Sequence, residues 1–233
     1  MSIAVAEVLL GDLEPTSKSF ADAFVRSFKR DPRPGYARGL QGLLEECKDG
    51  DELRARIRPQ SKRNGAAMRS VPLGLIADRR ALLVAAETQA RITHDSPEGI
   101  VSSQAVAVMA HGLLYERTAL RDLPALVREH TGLELELGWS AEVACDAMQT
   151  MHAVATVLLR HRSMTALLRD CVELGGDVDS VAAIALGLAS LSPEYALDLT
   201  APLLDGLETG PFGRGFLVNL DASLATRFPA LTP

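Results

Sequence analysis

Apolar residues recur at helical spacing along most of this chain, and no segment alternates apolar and polar residues as a half-buried strand does. Phe20, Phe24 and Phe28, for example, form one stripe of a helix that we expect to pack into a core. The pattern predicts helices over residues 2–10, 17–30, 78–91, 97–116, 141–161, 163–174 and 198–208, and another from about residue 179. The sequence therefore predicts an all-α fold.

Composition narrows the class of protein further. The chain has 233 residues, 47% of them hydrophobic, and no linker divides it, so we expect one domain over 1–233. A net charge of −6 argues against nucleic-acid binding, which needs a dense basic surface. Three cysteines without paired spacing, no signal peptide and no membrane-length apolar run predict a cytoplasmic protein with reduced thiols and no membrane contact.

Two carboxylates stand one residue apart where a Gly-Gly pair meets an apolar helical run. Asp177, Asp179 and the Ser180 hydroxyl would converge at the start of a helix, and three such oxygens suit Mg²⁺ or Mn²⁺. Aspartate is also a favoured helix cap, so the pair needs no metal to explain it. Three oxygens alone do not complete a Mg²⁺ site.

Residues 59–74 form a polar loop with an Asn-Gly turn. Backbone amides around Ser61, Asn64 and Gly65 could cradle an anion, and Lys62, Arg63 and Arg69 would add positive charge to that loop. The alternative is an ordinary surface turn, since Asn-Gly is a general turn signal.

Two further segments are candidates for ligand contact. His94 precedes a helix capped by Ser96, where it could bond a ligand, transfer a proton or simply be exposed. Gly35, Tyr36 and Gly39 lie in a predicted loop over residues 31–41 whose backbone could approach a ligand closely.

Taken in order, the segments RPGYARGL, SKRNGAAMRSVPLG, ITHDSPEGIV and LGGDVDSVAAIALGLA resemble the ADP-ribosylglycohydrolase family, which includes the dinitrogenase reductase-activating glycohydrolases. The similarity runs from residue 1 to about residue 190 and continues more loosely through GPFGRGFLVNLDASL. It implies a compact orthogonal helical bundle with a binuclear Mg²⁺ centre at one end. The implied reaction hydrolyses the glycosidic bond between ADP-ribose and a modified side chain or small acceptor.

The resemblance also implies a role for each candidate residue. Asp177, Asp179 and Ser180 would bind metal, with serine standing where many relatives have threonine. The substrate contacts it implies are Ser61, Asn64 and Gly65 around phosphate and ribose, His94 at the ribose, and Gly35, Tyr36 and Gly39 beside the diphosphate.

The chain departs from the family pattern in two places. Lys62 and Arg63 stand where relatives commonly have an aromatic or small residue followed by glycine. The family's Ser/Thr-Asp-Asp-Thr motif, which carries the other metal ligands, would fall just before residue 1, and no Asp-Asp pair occurs in the sequence.

We therefore expect this chain alone to bind Mg²⁺ weakly and to have little or no glycohydrolase activity. One explanation is a true start codon further upstream. The alternative is a non-catalytic relative that binds ADP-ribose or a protein partner, or that is purely structural. Loss of N-terminal helices would also expose apolar surface and favour self-association.

Overall fold

A computed structural model describes residues 1–11 and 14–231 of the chain. That part of the chain contains thirteen α-helices, short 3-10 and π turns and no β-strand, so the predicted all-α class is confirmed. In chain order the helices are α1 (Ser2–Leu10), α2 (Ser17–Arg30), α3 (Arg38–Glu46), α4 (Gly50–Arg56), α5 (Gly65–Met68), α6 (Arg79–Arg91), α7 (Pro97–His111), α8 (Leu123–Thr131), α9 (Ala147–Arg160), α10 (Met164–Glu173), α11 (Val178–Ala189), α12 (Ala201–Asp205) and α13 (Arg214–Arg227). None of these helices has the length and apolar character needed to cross a membrane.

The strongest sequence signals correspond to helices with the predicted bounds. α2 spans residues 17–30 as predicted. α7 begins at Pro97, where the Ser96 hydroxyl accepts a hydrogen bond from the Gly99 amide and so caps the helix. A single π turn over Gly112–Glu116 follows α7 and completes the predicted range. Capping residues therefore set the start of α7 as the sequence indicated.

Two predicted helices are too long. The helix predicted from residue 141 begins only at Ala147, because the Asp146 carboxylate caps it by accepting hydrogen bonds from the Met148 and Gln149 amides. The residues before that cap are not helical. The helix predicted over 198–208 shortens to α12, which Pro202 opens and Gly206 follows.

α7 lies at the centre of the fold because its residues are small or apolar on every face. It packs against α5, α6, α8, α9 and α11. Ala105, Val106 and Met109 join a core formed with α9, α10 and α11. Ala107 and Val108 face the other way, into a second core formed with α1, α2, α4 and α6. α7 thus connects two hydrophobic cores.

The predicted phenylalanine stripe lies in the second core. Phe20 and Phe24 are fully buried and Phe28 is nearly so. Ala4 and Val5 of α1 belong to the same core. The prediction that this stripe packs inside the protein is confirmed.

The C-terminal helices contrast with the rest of the fold. α12 and α13 bury no residue among those described. The guanidinium of Arg30 lies 5.0 Å from the ring centres of both Phe212 and Phe216, which holds the start of α13 against α2. The large apolar side chains that stay exposed here, called the C-terminal apolar surface, are Leu203, Leu204, Leu207, Leu217 and Val218.

Candidate functional site

A cleft of about 800 Å³ opens among the starts of α1, α3, α5 and α11 and the loops beside them. That volume is in the range of clefts that hold small-molecule ligands. Every residue predicted to bind metal or substrate lines it: Gly35, Tyr36, Gly39, Ser61, Asn64, Gly65, His94, Asp177, Asp179 and Ser180. The four sequence segments that carry these residues therefore meet at one place.

The Gly-Gly pair makes a tight turn that directs Asp177 into the cleft. Gly175 and Gly176 have φ angles of +78° and +76°, which a residue with a side chain rarely adopts. The Val143 amide donates to the Gly175 carbonyl at 3.2 Å, and the Asp177 amide donates to the Val143 carbonyl at 2.7 Å. The segment before α9 is therefore extended because it pairs with this turn.

Asp177 occupies the N-cap position of α11, but its carboxylate makes no capping hydrogen bond there. Instead Asp177 Oδ2 accepts from Asn64 Nδ2 at 2.5 Å, and the same nitrogen donates to Thr150 Oγ1 at 2.8 Å. Partial burial opposes ionisation of Asp177, but hydrogen bonds led by that of Asn64 outweigh it and hold the pKa of this carboxyl below its ordinary value. Asp177 is thus an oriented anion in the cleft, and capping does not explain it.

The other two candidate metal ligands lie in the first turn of α11. The Asp179 carboxyl is within hydrogen-bonding reach of that of Asp177. The buried Ser180 hydroxyl lies 3.2 Å from Met68 Sδ and is also within hydrogen-bonding reach of the Asp177 carboxyl. No lysine or arginine forms an ion pair with Asp177 or Asp179 in the described part of the chain.

These observations fit a cation better than they fit a structural ion pair. Two adjacent carboxylates and a hydroxyl oxygen are hard donors of the kind that Mg²⁺ prefers. Among residues 1–11 and 14–231, however, no group of three or more His, Cys, Asp or Glu side chains could hold a metal ion. The three oxygens of α11 and its cap thus form a partial donor set.

The loop before α5 is fastened to two other parts of the cleft. The Asp95 amide donates to the Pro59 carbonyl at 2.5 Å, and Ser96 Oγ donates to the Ser61 carbonyl at 2.8 Å. The Ala147 amide donates to the Lys62 carbonyl at 3.1 Å. The loop is therefore held by the start of α7 on one side and the start of α9 on the other.

The three basic residues predicted to give this loop positive charge behave differently. Lys62 does not line the cleft, because its ammonium forms an ion pair with Glu98 at 2.9 Å. Arg63 lines the cleft and has no ion-pair partner in the described chain, and the same holds for Arg58. Lys62 therefore gives its charge to the loop but not to the lining of the cleft, whereas Arg58 adds a positive charge there that no sequence motif indicated.

Arg69 also reaches the cleft, but its guanidinium is buried. It stacks over the Phe24 ring at 4.7 Å from the ring centre and donates to Gln89 and Thr93 side chains. Burial lowers the pKa of Arg69 to about 9, so this side chain stays charged at neutral pH. These hydrogen bonds use its Nε and Nη2 donors, whereas Nη1 has no hydrogen-bond partner among the described residues.

His94 lies on the floor of the cleft and is 7% exposed. Burial, together with the charges of Arg69 and Arg63, lowers the pKa of His94 to about 3. The imidazole is therefore neutral at physiological pH. Of the roles predicted for His94, a hydrogen bond to a ligand is therefore favoured over proton transfer from a charged ring.

The segment with Gly35, Tyr36 and Gly39 forms the opposite wall. Tyr36 packs edge-on against Phe28, with ring centres 5.8 Å apart. Gly35 has φ +113°, a loop conformation that favours glycine, but Gly39 belongs to α3, which begins at Arg38. The prediction that residues 31–41 are all loop is therefore wrong at its C-terminal end.

Cys145 and Thr93 also line the cleft, although no sequence motif pointed to either residue. Desolvation and the neighbouring charge of Asp177 raise the pKa of the Cys145 thiol, so it stays protonated. Cys145 was not expected at the cleft because residues 141–161 were predicted to form one helix. The pairing of Val143 with Gly176 is what places Cys145 there.

Comparisons with known proteins agree with this geometry. A sequence model of the ADP-ribosylglycohydrolase family matches residues 1–208. A chain of a solved "ADP-ribosylglycohydrolase-related protein complex" has the same fold, with a TM-score of 0.71 and 24% identity over 99% of this chain and 80% of that one. No curated protein sequence matches the chain. α13 lies beyond the segment that the family model matches.

Proposed function

Because the chain belongs to the ADP-ribosylglycohydrolase family, we propose that its cleft binds an ADP-ribosyl group and hydrolyses the glycosidic bond to a protein side chain or small acceptor. One observation carries this proposal: the residues of four separate segments converge on one cleft of ligand size. The site, and not the fold alone, is what supports an activity.

Asp177, Asp179 and Ser180 are the residues that would hold Mg²⁺, with Mn²⁺ as the alternative ion. Such an ion would supply Lewis-acid stabilisation of developing negative charge and a site for water. The chain's own contribution is orientation: Asn64 fixes the Asp177 carboxylate, and the buried Ser180 hydroxyl lies between Met68 Sδ and the Asp177 carboxyl.

Arg58 and Arg63 supply the positive charge that a diphosphate requires. Both line the cleft without an acidic partner in the described chain, so neither must give up an ion pair to bind phosphate. Gly35 and Tyr36 of the opposite wall would border the same group. The charges of Arg58 and Arg63 would compensate for the glycine that relatives have in this loop.

We infer that turnover by this chain is slow. The cleft has three candidate metal-ligand oxygens where two ions would need more, and the sequence contains no Asp-Asp pair. A cation held mainly by water binds weakly. This partial donor set is also the observation that favours the second candidate function, a non-catalytic relative that binds ADP-ribose or serves a structural role.

ADP-ribose is expected to stabilise the purified protein against heat. At one hundred times its Kd, a ligand that binds only the folded state adds about 2.7 kcal/mol to the free energy of unfolding. Differential scanning fluorimetry with ADP-ribose, and with ribose as the uncharged comparison, measures this. An ADP-ribosylated arginine peptide with Mg²⁺, followed by chromatography of released ADP-ribose, measures turnover in the same sample.

Two variants serve as a matched pair for the binding measurement. Arg63→Gln removes a cleft charge and is expected to weaken ADP-ribose binding about tenfold. Lys62→Gln removes the neighbouring charge outside the cleft and should leave binding unchanged. No stabilisation of the wild-type protein by saturating ADP-ribose would contradict both the hydrolase and the ADP-ribose-binding function.

We also infer self-association through the C-terminal apolar surface. Four of its large apolar side chains lie on α12 and α13 and the fifth lies between these helices, and exposed apolar surface of this kind favours association. Size-exclusion chromatography with light scattering should show a mass that rises with protein concentration, and Val218→Lys should lower that mass. A constant monomer mass across the concentration range would contradict self-association.

A further inference from the structure

A hydrogen-bond chain under the cleft begins at Gln89, which is fully buried. Its Nε2 donates to the Ala66 carbonyl at 3.2 Å and to Ser103 Oγ at 2.7 Å. A carbonyl oxygen can only accept, so the amide nitrogen must face Ala66. Gln89 Oε1 is therefore the atom that faces Arg69, and the orientation of this amide is fixed.

Arg69 continues this hydrogen-bond chain to Thr93, because a guanidinium group can only donate hydrogen bonds. Its Nε donates to Gln89 Oε1, and its Nη2 donates to the Gln89 carbonyl at 3.0 Å and to Thr93 Oγ1 at 2.7 Å. The Thr93 oxygen thus accepts from Arg69 and keeps its own proton to donate. Within the described chain, the acceptor in reach of that proton is His94 Nδ1, at 2.6 Å.

The opposite arrangement, in which His94 Nδ1 carries the proton, is less favourable. Thr93 Oγ1 would then accept from both Arg69 and His94, and its own hydroxyl proton would have no acceptor among the described residues. Thr93 is 4% exposed, so water would not readily pair that proton. A buried donor without a partner destabilises the arrangement that contains it.

We propose that Arg69 and Thr93 hold His94 as the neutral tautomer with its proton on Nε2, so that this ring presents a hydrogen-bond donor to the ligand. The Cε1–Nε2 edge faces Gly65 at the cleft: a β-carbon on that glycine would lie 3.0 Å from Cε1 and 3.2 Å from Nε2. Nε2 itself has no hydrogen-bond partner in the described part of the chain.

This assignment determines what His94 can recognise. An Nε2–H group pairs with an oxygen acceptor such as a sugar hydroxyl oxygen, and it cannot take a proton from a ligand in the cleft. His94 is therefore a binding residue, while Arg69 and Thr93 are positioning residues that act through it. The identity of the ligand as ADP-ribose rests on the proposed function, but the tautomer does not.

The tautomer can be read directly from long-range ¹H–¹⁵N spectra of the 233-residue protein without ligand. We expect the His94 signals, assigned by their absence from His94→Gln, to show a protonated Nε2 and an unprotonated Nδ1. Thr93→Val has the shape of threonine without the hydroxyl, and it should give a mixture of both tautomers. Thr93→Ser keeps the hydroxyl and should restore the single form.

A protonated Nδ1 in the wild-type protein would overturn the proposal, as would a Thr93→Val spectrum identical to that of the wild type. In a second measurement, Thr93→Val should weaken ADP-ribose binding about fivefold, and Thr93→Ser should stay within about twofold of wild type. Failure of ADP-ribose to bind any of the proteins would contradict the proposed function and leave the tautomer result as it stands.

Discussion

Replacing Asp179 with asparagine is expected to lower the affinity of the protein for Mg²⁺ about tenfold, which corresponds to about 1.4 kcal/mol. Asp179 is the better of the two aspartates to change, because Asp177 is also held by Asn64 and its replacement would disturb the loop before α5. An amide oxygen can still coordinate, but it brings no negative charge to offset dehydration of the ion. Calorimetric titration with Mg²⁺, or electron paramagnetic resonance with Mn²⁺, measures the affinity.

The metal-free protein distinguishes a metal ligand from a structural side chain. Asp177 and Asp179 lie within hydrogen-bonding reach of each other and repel when both are ionised. Asp179→Asn removes that repulsion, so without Mg²⁺ the variant should be at least as stable as the wild type. Asp221→Asn, which neutralises an exposed carboxylate of α13, is the matched control and should change neither property. Equal Mg²⁺ affinity in Asp179→Asn and wild type would exclude Asp179 as a ligand.

The sequence predicted much of the helical framework because helices are specified locally. The stripe of Phe20, Phe24 and Phe28 and the Ser96 cap depend on residues within one or two turns. α9 was predicted six residues too early, since the periodic pattern continued through a segment that pairs with a distant turn. The sequence of residues 141–146 contains no local pattern that indicates this long-range backbone pairing.

The sequence likewise predicted one part of the candidate site and not another. Motifs named the residues that line the cleft, and the structure brings all ten of them together. The motifs could not predict which partner each side-chain atom bonds. Asn64 faces Asp177 and Thr150, and Lys62 turns away to Glu98, because of partners more than thirty residues distant in sequence.

The donor and acceptor roles within the buried hydrogen-bond network also depend on residues that are distant in sequence. Arg69 looked like a loop cation, but burial beside Phe24 and Gln89 makes it a fixed donor under His94. Besides its charge, Arg69 acts on the cleft through Thr93, which no motif singled out. The chemistry of this site therefore depends on how α6 and α7 pack behind it as much as on the residues that face the ligand.

Replacing Gly176 with alanine is expected to destabilise the protein by about 3 to 4 kcal/mol and to abolish Mg²⁺ binding. At φ +76° a β-carbon costs about 1–2 kcal/mol by itself. Here it would also lie 2.2 Å from the Val143 carbonyl oxygen, so backbone must move. That movement weakens the two hydrogen bonds that pair Val143 with the turn, each worth about 1 kcal/mol.

Gly175→Ala is the matched control because it introduces similar backbone strain without a contact with Val143. Gly175 has almost the same φ, +78°, but the nearest atom to its β-carbon would be Glu142 Cγ at 3.6 Å. It should therefore cost only the backbone strain, about 1–2 kcal/mol, and keep Mg²⁺ binding. Urea unfolding of both variants measures the difference, and the Mg²⁺ titration shows whether Asp177 stays in place. If both variants were equally destabilised, contact with Val143 could not be what holds Asp177 at the cleft.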